Sequence, residues 1–232
     1  MNVIPVPGTL DHRTIDGLLD EVALLQEERN LFDARHLRWV DPSGMVGLLT
    51  AGAVAGQKQG TMPRLEVPES LEVRGYLSRM GFFKIANEVF EIEGPRQQDT
   101  DEGSDVLLEI TSISANADVH DVVDRVQQRA GAILTSRLGY SATSVVQFSV
   151  ILSEVCQNII EHAEAPGWVA AQTYNWEHRL GRFVVVISVM DLGRGFRGSL
   201  DDEHSARYGD RWSDATALEA AFLHGLTRFP DS

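Results

Sequence analysis

The sequence predicts an α/β protein in two domains, and three observations lead there. Helix-period stretches alternate with short β-rich stretches up to about Gly94, an order that favours a sheet covered by helices. From Gly94 to Ser104 the chain runs Gly-Pro-Arg-Gln-Gln-Asp-Thr-Asp-Glu-Gly-Ser, with no bulky apolar side chain, which is the composition of a linker. The 232 residues suffice for two cores at roughly 150 residues per domain. The expected boundaries are 1–94, a linker at 95–104, and 105–232.

In the first domain, Asn2 to Pro5 reads as a strand. Asp11 to Glu28 reads as a helix, with Ile15, Leu18, Leu19, Val22 and Leu25 on one stripe and Asp11 as its cap. Leu31 to Val40 is a second strand, ending at Asp41-Pro42-Ser43-Gly44. A helix follows with Met45, Leu48 and Leu49 facing inward. Arg64 to Val67 is a strand, Glu69 to Met80 a helix and Val89 to Ile92 a last strand. Beyond the linker come a strand at Val106 to Ile110, a helix from about Val119 to Leu138 and another from about Ala142 to Ala163. Trp168 to Trp176 and Arg182 to Asp191 form an antiparallel pair joined by a turn around His178 to Gly181. Asp191 to Tyr208, rich in Gly, Asp and Arg, reads as loop, and Asp214 to His224 as helix.

Composition excludes several function classes. Thirty-four acidic against 20 basic residues give a net charge of -14, and there is no basic run for a nucleic-acid backbone. The most apolar stretch, Phe183 to Met190, is eight residues long, well short of the ~20 of a membrane span. No signal peptide is visible at the N-terminus. The single Cys156 allows neither an internal disulfide nor a thiolate zinc cluster, which fits a reducing, cytoplasmic setting. Proteins and small molecules are the expected partners, not nucleic acid or membrane.

On a helical wheel Leu152, Val155, Cys156, Ile159, Ile160 and Ala163 fall on one side, and Glu154, Gln157, Asn158, Glu161 and His162 on the other. A wet polar face explains such a helix by itself. The strand Phe183 to Met190, however, runs into Asp191-Leu192-Gly193-Arg194-Gly195. Helix, two strands and Asp-x-Gly-x-Gly in this order resemble the nucleotide-binding half of the GHKL (histidine-kinase-like) ATPase superfamily. Glu154-Val-Cys-Gln-Asn158 matches its N box and Asp191-x-Gly193-x-Gly195 its G1 box. The wording Ser-Glu-Val-Cys-Gln-Asn-Ile-Ile-Glu-His-Ala is most similar to the anti-sigma factor serine kinase branch. The resemblance covers about Val106 to the C-terminus.

That resemblance implies ATP and Mg²⁺ as cofactors. Asn158 would offer its amide oxygen to Mg²⁺, a hard cation that prefers oxygen ligands. Glu154, one turn earlier, would polarise the attacking hydroxyl or water as the catalytic residue. Asp191 would accept from the adenine amino group, Gly193 and Gly195 would let the backbone approach the ligand, and His162 would take a supporting role on the phosphate side. Cys156 reads as a buried core thiol. The family pattern continues with a lid and a second glycine-rich box; none is evident after Gly195, so the expected Bergerat-type α/β sandwich is C-terminally incomplete. ATP binding is then expected to be weak and phosphoryl transfer poor.

Val40-Asp41-Pro42-Ser43-Gly44 turning into Met45-Val-Gly-Leu-Leu49 resembles the STAS domain of anti-anti-sigma factors, and Tyr76 to Lys84 resembles that family's closing helix and strand. This implies a STAS-like mixed sheet with helices over residues 1–94 and Ser43 as the candidate phosphorylation site. Asp41 as helix cap with Pro42 at the first helical position explains the motif equally well. Pro42 stands where the family has its first hydroxyl. Together the two resemblances imply an ATP-binding serine/threonine protein kinase or ATPase in partner-switching signalling. Its partners would be a sigma factor or a STAS-type antagonist, with homodimer formation. The alternative is a non-catalytic interaction module with a degenerate nucleotide pocket.

Overall fold

The computed structural model describes residues 1–25, 29–95, 106–136, 139–163, 165–176 and 181–222, without the side chains of 106, 129–134, 136, 162, 182 and 202–204. The expected linker at 95–104 and the 178–180 turn thus fall almost wholly outside the described residues. The chain is mixed α/β, with parallel and antiparallel sheets.

The first lobe is built on β1 (Asn2–Pro5), β3 (Asn30–Asp33), β5 (Arg64–Glu66) and β6 (Glu91–Glu93), side by side in that order and all parallel. The sheet is therefore parallel and not mixed, because each successive strand is reached through a helical crossover. The expected single strand Leu31 to Val40 divides. An Asx turn, with Asp33 Oδ1 accepting from the Arg35 amide at 3.1 Å, ends β3, and β4 (Trp39–Val40) pairs instead with β2 (Thr9–Leu10). Helix α1 (Ile15–Ala23) starts four residues after Asp11. Asp11 is not its cap but binds the Arg13 amide at 3.0 Å and the Arg13 guanidinium.

Helix α2 (Pro42–Gln59) keeps the expected start: Asp41 caps it by accepting from the Gly44 amide at 2.9 Å, with Pro42 at the first position. Gly60, at φ 69°, ends it in the left-handed conformation that a Cβ disfavours. Helix α3 (Leu71–Arg79), capped by Ser70, is followed by the short α4 (Phe82–Ala86). Phe82 to Lys84 are thus helical, where the STAS resemblance implied a closing strand. Phe82 and Phe83 are buried there, and Gly81, at φ 70°, supplies the bend between the helices.

The second lobe carries one antiparallel sheet, β7 (Val106–Ile113), β8 (Gly167–Trp176) and β9 (Arg182–Asp191), in that order. Helices α5 (Asn116–Ser136) and α6 (Ala142–Asn158) cover one face. Leu152, Cys156 and Ile159 meet Val122, Val126, Val169 and Ala171 in one core. By length and composition alone Ala142–Glu161 passes for a membrane span, but its Leu152–Cys156–Ile159 stripe is used against the sheet. The helix does not continue regularly to Ala163: Ile159–Ala163 is a π turn. Asp191 to Tyr208 is not all loop either. Helix α7 (Gly195–Tyr208) forms there, its glycines confined to the first turn, and α8 (Asp214–Ala221) follows.

The two lobes share a core. Side chains alternate across a strand, so Val169 and Ala171 face α6 while Trp168 and Ala170 face the other way, into the cluster that holds Met45, Leu48 and Leu49 of α2. Thr50 Oγ1 lies 3.7 Å from Met190 Sδ, the Ile110 amide donates to Met80 O at 2.9 Å, and Tyr76 Oη lies 2.9 Å from Tyr174 Oη. Helix α2 is therefore apolar nearly all round because it lies between two sheets.

Asp118 anchors the start of α5. Its Oδ2 accepts from the amides of Ser114 and Ala115, each at 2.8 Å, and those bonds hold its pKa below 3.8. A lowered carboxylate contributes fully above the unfolded value and loses its contribution as pH falls through the folded one. Asp118→Ala is expected to cost about 1 kcal/mol at neutral pH. In denaturant melts the gap to wild type should close as pH drops below 3.8; a pH-independent gap would contradict the assignment.

Candidate nucleotide-binding corner

The two sequence motifs end at one corner of the second lobe. Helix α6 places Glu154 and Asn158 one turn apart, and both side chains are exposed. On the wheel Asn158 lies on the flank shared with Ile151 and Val155, which are 64% and 40% exposed. The opposite flank is tied to α5 by Gln157 Nε2, which donates to Asn116 Oδ1 at 3.1 Å. Val155 is thus not a core residue, contrary to the wheel; Leu152, Cys156 and Ile159 are. Cys156 is fully buried, and desolvation pushes its thiol pKa up to about 11, as befits an inert core residue.

Asp191 is the last residue of β9. Its Oδ1 accepts from the Gly193 amide at 2.8 Å, an Asx-type turn that leads the chain away from the sheet. The Leu192 amide donates to Pro166 O at 3.0 Å, joining this turn to the segment that follows α6. Gly193 then passes close to the π turn: a Cβ at this position would sit 2.5 Å from both Cβ and O of Ala163. Gly193 is therefore required by packing on the helix end, a reason for glycine beside the ligand approach that the resemblance implies. Gly195 is at φ 63° with open space around it, so its conformation, not crowding, selects glycine. The His162 backbone lies in the π turn, but its side chain is outside the described residues.

The structure thus brings the Ile159–Ala163 turn at the end of α6 against the end of β9 and the glycine turn, with Glu154 and Asn158 on the helix that leads into that contact. Ala163, which the sequence places on the apolar side of the helix without a site role, ends the π turn and lies opposite Gly193. Glu154, Asn158 and Asp191 Oδ2 have no protein partner among the described residues, so a carboxylate, an amide and a carboxylate oxygen remain available at the solvent edge. This donor set fits a nucleotide held through its base and its metal. No three His, Cys, Asp or Glu side chains converge as a metal cluster among the described residues, so Mg²⁺ held by Asn158 would draw its remaining oxygens from phosphate and water.

Ser43 lies elsewhere. It is the second residue of α2, half-buried beside Asp41. Burial raises the pKa of both Tyr76 and Tyr174, Tyr76 to about 12, and the nearby Asp41 carboxylate adds to this in each. Burial raises the pKa of Asp41 itself. Tyr174 also stacks between Trp39 and Trp176, with centroids at 5.8 and 6.0 Å. This aromatic cluster, foreshadowed only by the alternate Tyr174 and Trp176 on one strand, closes the lobe interface at the far end of β8 from Gly167. The chain matches no protein-family model, no curated protein and no solved structure.

Proposed function

We propose that the chain is an ATP-binding regulatory protein of the GHKL kind, in which a STAS-like lobe is packed on an anti-sigma-kinase-like lobe. The observation that carries this reading is the meeting of the Glu154–Asn158 helix end and the Asp191 turn at one corner, fastened by Gly193 on Ala163. Asp191, acceptor-only when ionised, would receive the adenine amino group, which guanine lacks at that position. Asn158 would hold Mg²⁺, whose charge, when bound, stabilises phosphate oxygens. Glu154 would take the proton of an attacking hydroxyl.

The geometry favours an acceptor on another molecule. Helices α6 and α2 lie on opposite faces of the β7–β8–β9 sheet. Ser43 is at the Tyr174 end of β8, and the corner is at the Gly167 end, about 23 Å away at ~3.3 Å per residue. The chain's own Ser43 is thus out of reach of Glu154.

Calorimetric titration of the full chain with Mg·ATP should give weak binding, which Asp191→Asn reduces at least about tenfold, equivalent to about 1.4 kcal/mol. Glu154→Ala should retain binding and lose label transfer from radioactive ATP. If Ser43 is an acceptor, mixing Glu154→Ala with Ser43→Ala chains should label the Glu154→Ala chain. No heat with Mg·ATP, or heat indifferent to Asp191→Asn, would refute the reading. It would favour the second one, a protein-interaction module in which Asp191 and Gly193 serve only the turn they form.

A further inference from the structure

We infer that Met190 and Leu192 are positioning residues for the Asp191 turn, and that through them the first lobe sets how well the corner binds a nucleotide. The inference rests on the nucleotide reading above and deepens it. Asp191 pairs across the sheet with Gly167, and Met190 with Trp168. A Cβ at Gly167 would lie 2.9 Å from Ile159 Cδ1, so the Gly167–Asp191 pair is turned to the face that α6 covers. Trp168 belongs to the other face, towards α2, and Met190 goes with it. Leu192 packs on the same cluster. Asp191 is therefore exposed on one side of the sheet, while its two chain neighbours are half-buried against the core shared with α2 on the other.

The support beneath those neighbours is firm. A Cβ on Gly47 or Gly52 would run into the side chain of Ile15 or Phe90, so α2 is already pressed on the rest of the first lobe and has no room to recede from β9. Towards β9, the Thr50 hydroxyl donates to Val46 O at 2.9 Å, which holds its rotamer, and Oγ1 lies 3.7 Å from Met190 Sδ.

Two hydrogen bonds shape the turn itself, from the Gly193 amide to Asp191 Oδ1 and from the Leu192 amide to Pro166 O. Its place in the molecule is fixed by packing: Gly193 on Ala163 fastens one side, and Met190 and Leu192 fasten the other. An acceptor displaced by about 1 Å leaves the roughly 2.7–3.2 Å range of a hydrogen bond, so loosening this packing reaches the base that Asp191 would hold.

Mg·ATP titration of full-length variants tests the inference. Met190→Ala should weaken binding at least about fivefold, and Met190→Leu, which refills the volume, should restore it. Thr50→Ala, a change in the first lobe, should weaken binding in the same way, and it decides the matter if Met190→Ala does not fold. In an Asp191→Asn background neither change should cost much more, because both act through that carboxylate. Without nucleotide, Met190→Ala should speed hydrogen exchange at the Leu192 and Gly193 amides at least about fivefold. Binding that depends on Asp191 but ignores both Met190→Ala and Thr50→Ala would overturn this inference and leave the nucleotide reading standing. So would full additivity with Asp191→Asn, or unchanged exchange at the two amides. No Mg·ATP binding by the wild-type chain would overturn both.

Discussion

Gly44→Ala is expected to destabilise the chain by about 3 kcal/mol and to lower its melting temperature by about 6–12 °C. A Cβ at Gly44 would lie 2.1 Å from the carbonyl oxygen of Leu10 and 2.7 Å from its carbonyl carbon. Both are backbone atoms, and that oxygen already accepts from the Asp41 amide at 3.3 Å. Neither side can retreat without breaking the β2–β4 ladder or the Asp41 cap. The useful control is Gly17→Ala in α1, where a Cβ meets nothing within 4 Å. Helix propensity should make that change neutral or stabilising by up to about 1 kcal/mol. A Gly44→Ala protein that melts with wild type in calorimetry would show that α2 does not approach Leu10 this closely. The outcome also bears on the Asp41-Pro42-Ser43-Gly44 motif, three of whose four residues have a packing or capping task apart from any regulation.

Ala170→Asp is expected to cost about 3–5 kcal/mol, because it places an uncompensated charge in a buried site. Ala170 is fully buried in the cluster that joins the β7–β8–β9 sheet to α2. The carboxylate would be buried in the apolar cluster that also holds Met45, Leu48 and Leu49. Because this core belongs to both lobes, the damage should appear in two places. Hydrogen exchange should show lost protection in α2 as well as in β8, and denaturant unfolding should lose cooperativity. Undiminished protection of α2 amides would mean that the lobes fold independently. Ala171, the next residue, faces α6. Ala171→Asp should spare α2 and loosen the helices on the opposite side of the sheet.

Where periodicity is strong, sequence and structure agree closely. The antiparallel pair around Trp168 and Arg182, the stripe of Ile15, Leu18 and Val22, and the Asp41–Pro42 start of α2 all follow from local rules that tertiary context reinforces. The failures have physical causes. Leu31 to Val40 reads as one strand from its apolar ends, yet Asp33 in its middle satisfies the Arg35 amide and diverts the chain into a second ladder. Gly195 and Gly198 made α7 look like loop, although glycine in a first turn weakens a helix far less than in its interior. The wheel gave α6 a face that Val155 does not join, because the helix is rotated so that Ser149, Leu152 and Cys156 meet the sheet. The candidate corner could be read as residue types, but the contact that fastens it depends on a change of helical pitch that the sequence does not announce. That α2 lies between two sheets showed only as unusual apolarity without an assigned cover.

The pitch change at Ile159–Ala163 has a consequence for how this segment tolerates alteration. A π turn holds one residue more than the α-helical path over the same rise. Deleting one of Ile159 to His162 would restore ordinary winding with Ala163 left at much the same place, whereas deleting a residue from the regular part of α6 would swing Ala163 by about 100° around the axis, out of register with Gly193. Phase along α6 is therefore the quantity under constraint: point replacements that keep Ala163 small and a one-residue deletion inside the π turn should be absorbed, whereas a single-codon deletion before Ile159 should unfasten the glycine turn from the helix end.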